Sequence, residues 1–184
     1  MSDLVYSAGF DCSLQRISLK DFFKKDKSPK AIDLNALLAS VNIPQFEMPK
    51  NMSAPVLPTP AYAYDLHVGE LNNDIILSLE TGHVISLEHK FPQPVRYCFQ
   101  PHGTKLLKAQ YCQFDVNLLI TLSVDKTWAI WNPTTIVKSD HKFSLDIVPL
   151  IKIKCPKAPN ALLTLPNKKV VLGDVTSALK VYSI

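Results

Sequence analysis

Apolar residues occur along this chain in short blocks, each closed by a polar turn, and the clearest example runs from Leu118 to Asn132 (LLITLSVDKTWAIWN). Leu118 to Leu122 is apolar and rich in β-favouring residues, which predicts a strand. Ser123-Val124-Asp125-Lys126 predicts a tight turn, because Ser and Asp side chains hydrogen-bond nearby backbone groups. Thr127 to Trp131 predicts a second strand, and Asn132-Pro133 ends it, since proline donates nothing to a ladder. A weaker copy of the pattern opens the chain. Leu4 to Ala8 reads as a strand and Gly9-Phe10-Asp11-Cys12 as a turn, with Asp11 parallel to Asp125. Ser13 to Leu19 then alternates apolar and polar residues, as a half-exposed strand does.

Regular spacing resumes after residue 60. Ala61 to Leu66, Asp74 to Glu80, His83 to Glu88 and Val95 to Phe99 predict four strands, with Thr81-Gly82 as a turn. The next set comprises Leu106 to Phe114, Leu118 to Leu122, Thr127 to Trp131 and Phe143 to Val148. A last set comprises Ile151 to Ile153, Ala161 to Leu165, Lys169 to Gly173 and Leu179 to Ile184, with Gly173-Asp174-Val175-Thr176 as its turn. The period is near the ~40–45 residues of a four-stranded repeat.

The chain therefore divides into 1–19, the second half of a truncated unit lacking its innermost strand; 20–60, a basic and then proline-rich connection; and 61–184, about two and a half to three four-stranded units. Within the connection, Ser28-Pro29 could cap a short helix through Leu38, and Ile32, Leu34 and Leu37 could equally belong to an outer strand.

Composition supports a strand-rich reading. Fourteen prolines against five glycines would interrupt long helices repeatedly. With 184 residues and 47% hydrophobic content the chain can bury a sizeable core. A net charge of +4 does not argue for nucleic-acid or membrane partners. The longest apolar runs are far shorter than a membrane span. Met1-Ser2-Asp3 leads straight into strand-like sequence with no visible signal peptide. Cys12, Cys98, Cys112 and Cys155 form no CxxC pair, so free thiols in a reducing compartment, cytosol or nucleus, are expected.

Strand, Ser-x-Asp turn, second strand and terminal Trp131-Asn132 resemble the end of a WD repeat, one four-stranded blade of a β-propeller. LVYSAGFDCSLQRISL, APVLPTPAYAYDL leading into IILSLETGHVISLE, AQYCQF and the terminal VVLGDVTSALKVYSI extend the resemblance over most of the chain outside Lys20 to Asn51, and it is to the C-terminal half of a member of the WD-repeat β-propeller family. The resemblance implies an all-β fold, a partial propeller of about three and a half four-stranded blades. A half ring leaves strand edges and apolar blade faces uncovered, so either a longer propeller or a partner is expected to complete it, and the first reading is favoured. The residues carrying the blade motif are Asp11, Thr121, Asp125, Trp131 and Asp174.

In the family a His, a Ser or Thr, an Asp and a Trp form a buried hydrogen-bonded tetrad. Thr121, Asp125 and Trp131 match it by position, the usual Gly-His is absent in register, and Pro101-His102-Gly103 is the nearest candidate. A partly broken network is expected. Family membership also implies a non-catalytic scaffold, often a substrate receptor joined to the adaptor of a cullin-RING ubiquitin ligase through Trp-Asp-x-Arg. Here Trp131-Asn132-Pro133-Thr134 lacks the Asp and the Arg that would make a bidentate charged contact.

No catalytic constellation is coherent. His67, His83, His89, His102 and His141 are dispersed. Cys98, His102 and Cys112 are zinc-ligand types, but both cysteines stand at strand positions where a thiol serves as a small apolar group. Asp65 and His67 share a strand face, more often a structural pair than an acid–base one. The glycines are isolated, so no phosphate loop is expected, and neither a cofactor nor a metal is. Trp128 and Trp131 should point to opposite faces, with Trp131 in the core and Trp128 either a partner-binding anchor or packed between neighbouring blades.

The expected function is protein–protein interaction without enzymatic activity. The alternatives are binding of nucleic acid or acidic lipid through Lys20 to Lys30, with Lys24, Lys25 and Lys27 at its centre, against a plain solvated loop, and a truncated fragment with no independent function.

Overall fold

The computed structural model describes residues 4–22, 30–40, 60–69, 74–88, 95–134, 147–176 and 178–184. They form fourteen strands and two short helices. The strands are β1 (Leu4–Ala8), β2 (Ser13–Ser18), β3 (Lys30–Asp33), β4 (Ala63–Val68), β5 (Ile75–Leu79), β6 (Val84–Leu87), β7 (Val95–Phe99), β8 (Leu106–Cys112), β9 (Asp115–Ser123), β10 (Thr127–Trp131), β11 (Ile151–Lys154), β12 (Pro159–Leu165), β13 (Lys169–Asp174) and β14 (Leu179–Ser183). Helix α1 is Leu19–Phe22 and α2 is Leu34–Ser40. The connection holds a strand and then a helix, with different bounds from either reading: Ile32 lies in β3, Leu34 and Leu37 lie in α2, and Ser28-Pro29 lies outside the described residues. After β3, Asp33 accepts from the backbone N–H groups of Asn35 and Ala36 at 2.9 and 3.3 Å and starts α2 as an N-cap.

Consecutive strands pair antiparallel into four separate sheets: β1-β2-β3, β4-β5-β6-β7, β8-β9-β10-β11 and β12-β13-β14. Three apolar layers separate them. Leu14 and Leu34 meet Ala63, Leu77, Ile85 and Cys98 between the first two sheets. Ile76, Val84 and Phe99 meet Leu106, Leu119 and Trp131 between the next two. Ile120, Leu122 and Trp128 meet Leu162, Val170 and Leu172 between the last two.

This stacking explains the hydrophobic pattern. The middle sheets are covered on both faces, so Ile75–Leu79 and Val84–Leu87 are buried at every position and their sequences do not alternate. The outer sheets are covered on one face, and β1 and β14 alternate between partly buried and exposed residues.

One strand assignment changes. Phe143 to Val148 was expected as the fourth strand of the third sheet; 143–146 lie outside the described residues, and Ile147 and Val148 are not in a strand. The position belongs to Ile151–Lys154, paired with β10 from Thr127↔Lys154 to Ile130↔Ile151. Both runs are strand-like, and tertiary anchoring decides between them. Leu150 N donates to Ile130 O at 2.8 Å and Cys155 N to Lys126 O at 2.6 Å, tying both ends of β11 to β10. Among the described residues the last sheet consequently has three strands instead of four, and the first has three, Lys30–Asp33 joining the two expected within 1–19.

Candidate functional site

The densest polar arrangement lies in the third sheet and rests on a turn used repeatedly. Asp11 accepts from Ser13 N at 3.1 Å and Ser13 Oγ at 2.7 Å. Asp125 accepts from Thr127 N at 2.8 Å and Thr127 Oγ1 at 2.6 Å. Asp174 accepts from Thr176 N and from the Thr176 hydroxyl. The aspartates read as equivalent in the sequence therefore make one local motif in three sheets, an Asx turn leading out of a strand. Cys12 and Lys126 follow their aspartates with φ of 57° and 69°. The second sheet has Thr81-Gly82 at the same place, with Gly82 at φ 80°. Glycine is needed there for space as well as for φ. A Cβ on Gly82 would stand 2.2 Å from the His102 carbonyl oxygen and 2.6 Å from that of Thr104. The bare turn of one sheet thus seats the segment carrying His102 into the next.

His102 completes the network that the sequence left a member short. Its Nε2 lies 2.9 Å from Thr121 Oγ1, and its Nδ1 lies 3.2 Å from Asp125 Oδ2 and 3.0 Å from Thr127 Oγ1. Trp131 Nε1 donates to Thr121 Oγ1 at 2.8 Å. One assignment satisfies every group: the indole N–H donates to the Thr121 hydroxyl, which donates to Nε2, while Nδ1–H donates to Asp125. The expectation of a partly broken tetrad is corrected. The missing partner enters from Pro101-His102-Gly103, a place that local register did not settle.

Electrostatics agree with this hydrogen-bond chain. Burial lowers the His102 imidazole from its ordinary value, and Asp125 opposes that shift, so the ring stays neutral at physiological pH. Burial works to raise Asp125, but the Thr127 hydrogen bonds and His102 carry its carboxyl below the usual range.

Thr121, His102 and Asp125 follow the order of a hydroxyl–imidazole–carboxylate triad. However, Thr121 is fully buried and its oxygen already accepts the Trp131 indole N–H. What the arrangement does chemically is tie the segment before β8 to β9, to the turn after it and to β10 through side chains.

Trp131 sits in the apolar layer facing the second sheet and Trp128 in the layer facing the fourth, on opposite faces as expected. Trp128 is not a surface anchor: it is 0% exposed, with its ring 5.2 Å from that of Tyr182. Lys24, Lys25 and Lys27 lie outside the described residues. Cys98, Cys112 and His102 are not brought together, since the two thiols pack in different apolar layers. Burial pushes Cys98 well above the ordinary thiol range and Cys112 up to about 12. Asp65 lies 3.9 Å from Lys108 Nζ.

Two further clusters carry no sequence signature. Between the second and third sheets, the buried Asp74 accepts from Arg96 and from Tyr111 OH, and Tyr111 OH lies 3.0 Å from Tyr97 OH. On the rim formed by the Asx turns, Phe10 is 63% exposed and packs edge-on against Tyr62 and Tyr64, with centroids at 5.6 and 5.0 Å. Lys105 Nζ lies 4.1 Å from the Tyr64 ring centroid and 3.2 Å from Glu80. This patch draws on the first three sheets and is apolar with a locally neutralised cation.

No known family model matches the chain, and no curated protein matches it.

Proposed function

We propose that the chain is part of a WD-repeat β-propeller that serves as a protein–protein interaction scaffold. The observation that carries this reading is the His102–Thr121–Asp125–Trp131 network, which supplies in one sheet all four residue types of the tetrad that the sequence resemblance implies. Four consecutive antiparallel sheets stacked through apolar layers support it further. A rigid stack of this kind presents turns and strand-entry segments at its rim, where contact residues vary without disturbing the core. The Phe10–Tyr62–Tyr64 cluster is the contact surface this reading assigns, because exposed aromatic side chains supply contact area at low entropic cost.

A ubiquitin-ligase substrate-receptor role rests on the resemblance alone. After Trp131, Asn132 Oδ1 accepts from Thr134 N at 3.1 Å and Thr134 Oγ1 at 2.6 Å, a local turn with no arginine to reach an adaptor.

The test compares partners cross-linked to the wild-type chain with those of Phe10→Ala and Tyr64→Ala. A partner recovered by wild type and lost by both variants, at unchanged thermal stability, supports the reading. Recovery of no specific protein by the wild type counts against it.

A further inference from the structure

Charge is divided unevenly along the chain. The first 100 residues carry nine basic and eleven acidic side chains, and the remainder carry eleven and five. Between Ile147 and Gly173 there are five lysines and no acidic residue. The fold gathers three of these, Lys152, Lys154 and Lys157, beside Lys126 at one corner of the third sheet. All four are exposed, and none is ion-paired to a described residue. Lys105, Lys108 and Lys180, by contrast, each face a carboxylate.

The ladder holds this corner in place. Lys154 stands opposite Thr127 and Lys152 opposite Ala129, so the two lysine side chains leave one face of β11. Alternate residues of a strand are about 6.6 Å apart. Cys155 N donates to Lys126 O at 2.6 Å, which ties the turn bearing Lys126 to the end of the strand bearing Lys154. Pro156 then restricts the chain leading to Lys157. Asp125, the carboxylate next to Lys126, is already engaged by Thr127 and His102. The positive charge is therefore left for a ligand, on backbone that needs little further ordering.

We propose that this corner binds an acidic, extended segment of a protein partner, with carboxylates at alternate positions facing Lys152 and Lys154, flanked by Lys126 and Lys157. An extended chain spaces alternate side chains as β11 does, so a Glu-x-Glu run matches these two lysines one to one. Charge sets the sign of the occupant, and two features set its class. Stacking platforms for bases are absent from the corner: among the described residues the exposed aromatic side chains are Phe10 and Tyr64, in the patch on the first three sheets. The surplus of positive charge is also local, since residues 1–100 carry more acidic than basic groups. A long polyanion, or the plane of an anionic bilayer, would meet that opposing balance, whereas a short acidic segment stays within the corner.

The experiment is fluorescence anisotropy on the 184-residue chain with a labelled peptide that alternates Glu and Thr over about eight residues. Wild type should bind the peptide, and raising the ionic strength to ~0.5 M should weaken binding. Lys152→Gln combined with Lys154→Gln should weaken it about tenfold at unchanged thermal unfolding, because both side chains are exposed. Lys168→Gln combined with Lys169→Gln removes the same charge where β12 turns into β13 and should leave the affinity unchanged. Phe10→Ala should also leave it unchanged, which separates this surface from the aromatic patch. Failure of the wild type to bind the peptide overturns the proposal, as does full affinity in the Lys152 and Lys154 double variant or an equal loss in the Lys168 and Lys169 one. A single-stranded oligonucleotide or an anionic-lipid vesicle held more tightly than the peptide by the same two lysines, Lys152 and Lys154, overturns it as well.

Discussion

The Trp131 indole nitrogen donates to the Thr121 hydroxyl at 2.8 Å, and the same oxygen lies 2.9 Å from His102 Nε2. One buried atom thus joins the end of β10, the middle of β9 and the segment before β8. Thr121→Val keeps the side-chain shape but leaves the indole N–H and the imidazole nitrogen unpaired. An orphaned buried group costs ~1–3 kcal/mol. Thr121→Val should therefore lower unfolding free energy by about 2 kcal/mol or more, and Thr121→Ser, which keeps the oxygen, by about 1 kcal/mol. Urea titrations read both, with the midpoint moving and the slope unchanged.

Gly82 and His102 make a second expectation. The left-handed turn position is held by Cys12 in one sheet, Lys126 in another and Gly82 between them, and Gly82 alone faces a carbonyl that leaves a Cβ no room. Gly82→Ala should cost ~3 kcal/mol or more, because backbone on both sides must shift. Lys126→Gly should change stability by less than about 1 kcal/mol, since glycine adopts that φ freely. Thermal unfolding of the pair separates a demand for space from a demand for φ.

Two of the Asx turns predict unequal losses. Asp11 is exposed and accepts from Ser13, so Asp11→Ala should move the urea midpoint only slightly. Asp125 also holds the imidazole, so Asp125→Ala should cost about 2 kcal/mol or more, with part of that cost shared with His102. In a double-mutant cycle, Asp125→Ala combined with His102→Ala should fall short of the sum of the single losses.

Acid should weaken the fold before the carboxylates titrate. Burial lowers His83 from 6.5 to about 4, and it lowers His102 as well. Between 6.5 and those lower values the unfolded chain binds protons that the native chain refuses, so this stability is complete above 6.5 and declines as pH falls toward about 4. Asp125 has the opposite window: its contribution is present above 3.8 and is lost only below it. From His83 alone a loss on the order of 2–3 kcal/mol between neutral pH and about 4 is expected. His83→Leu should flatten much of that slope in chemical denaturation followed against pH.

Strands, turns and three members of the network were legible because each is written locally. Apolar blocks of strand length, aspartates at the turns and the two tryptophans on opposite faces follow from propensity and the period of two. The other features depend on distant segments meeting. His102 reaches Thr121 across 19 residues only because the Gly82 turn seats its segment against the third sheet. Trp128 looked like a candidate anchor until Tyr182 of the last sheet covered it. Two strand-like runs competed for one edge, and backbone bonds to Ile130 and Lys126 chose Ile151–Lys154, leaving the last sheet with three strands among the described residues. The sequence by itself determined most of the strands and the Asp-bearing turns, since those preferences lie within a few bonds of each residue. Tertiary structure decided which faces are covered and which polar atoms find partners, because burial and hydrogen bonding depend on what packs opposite.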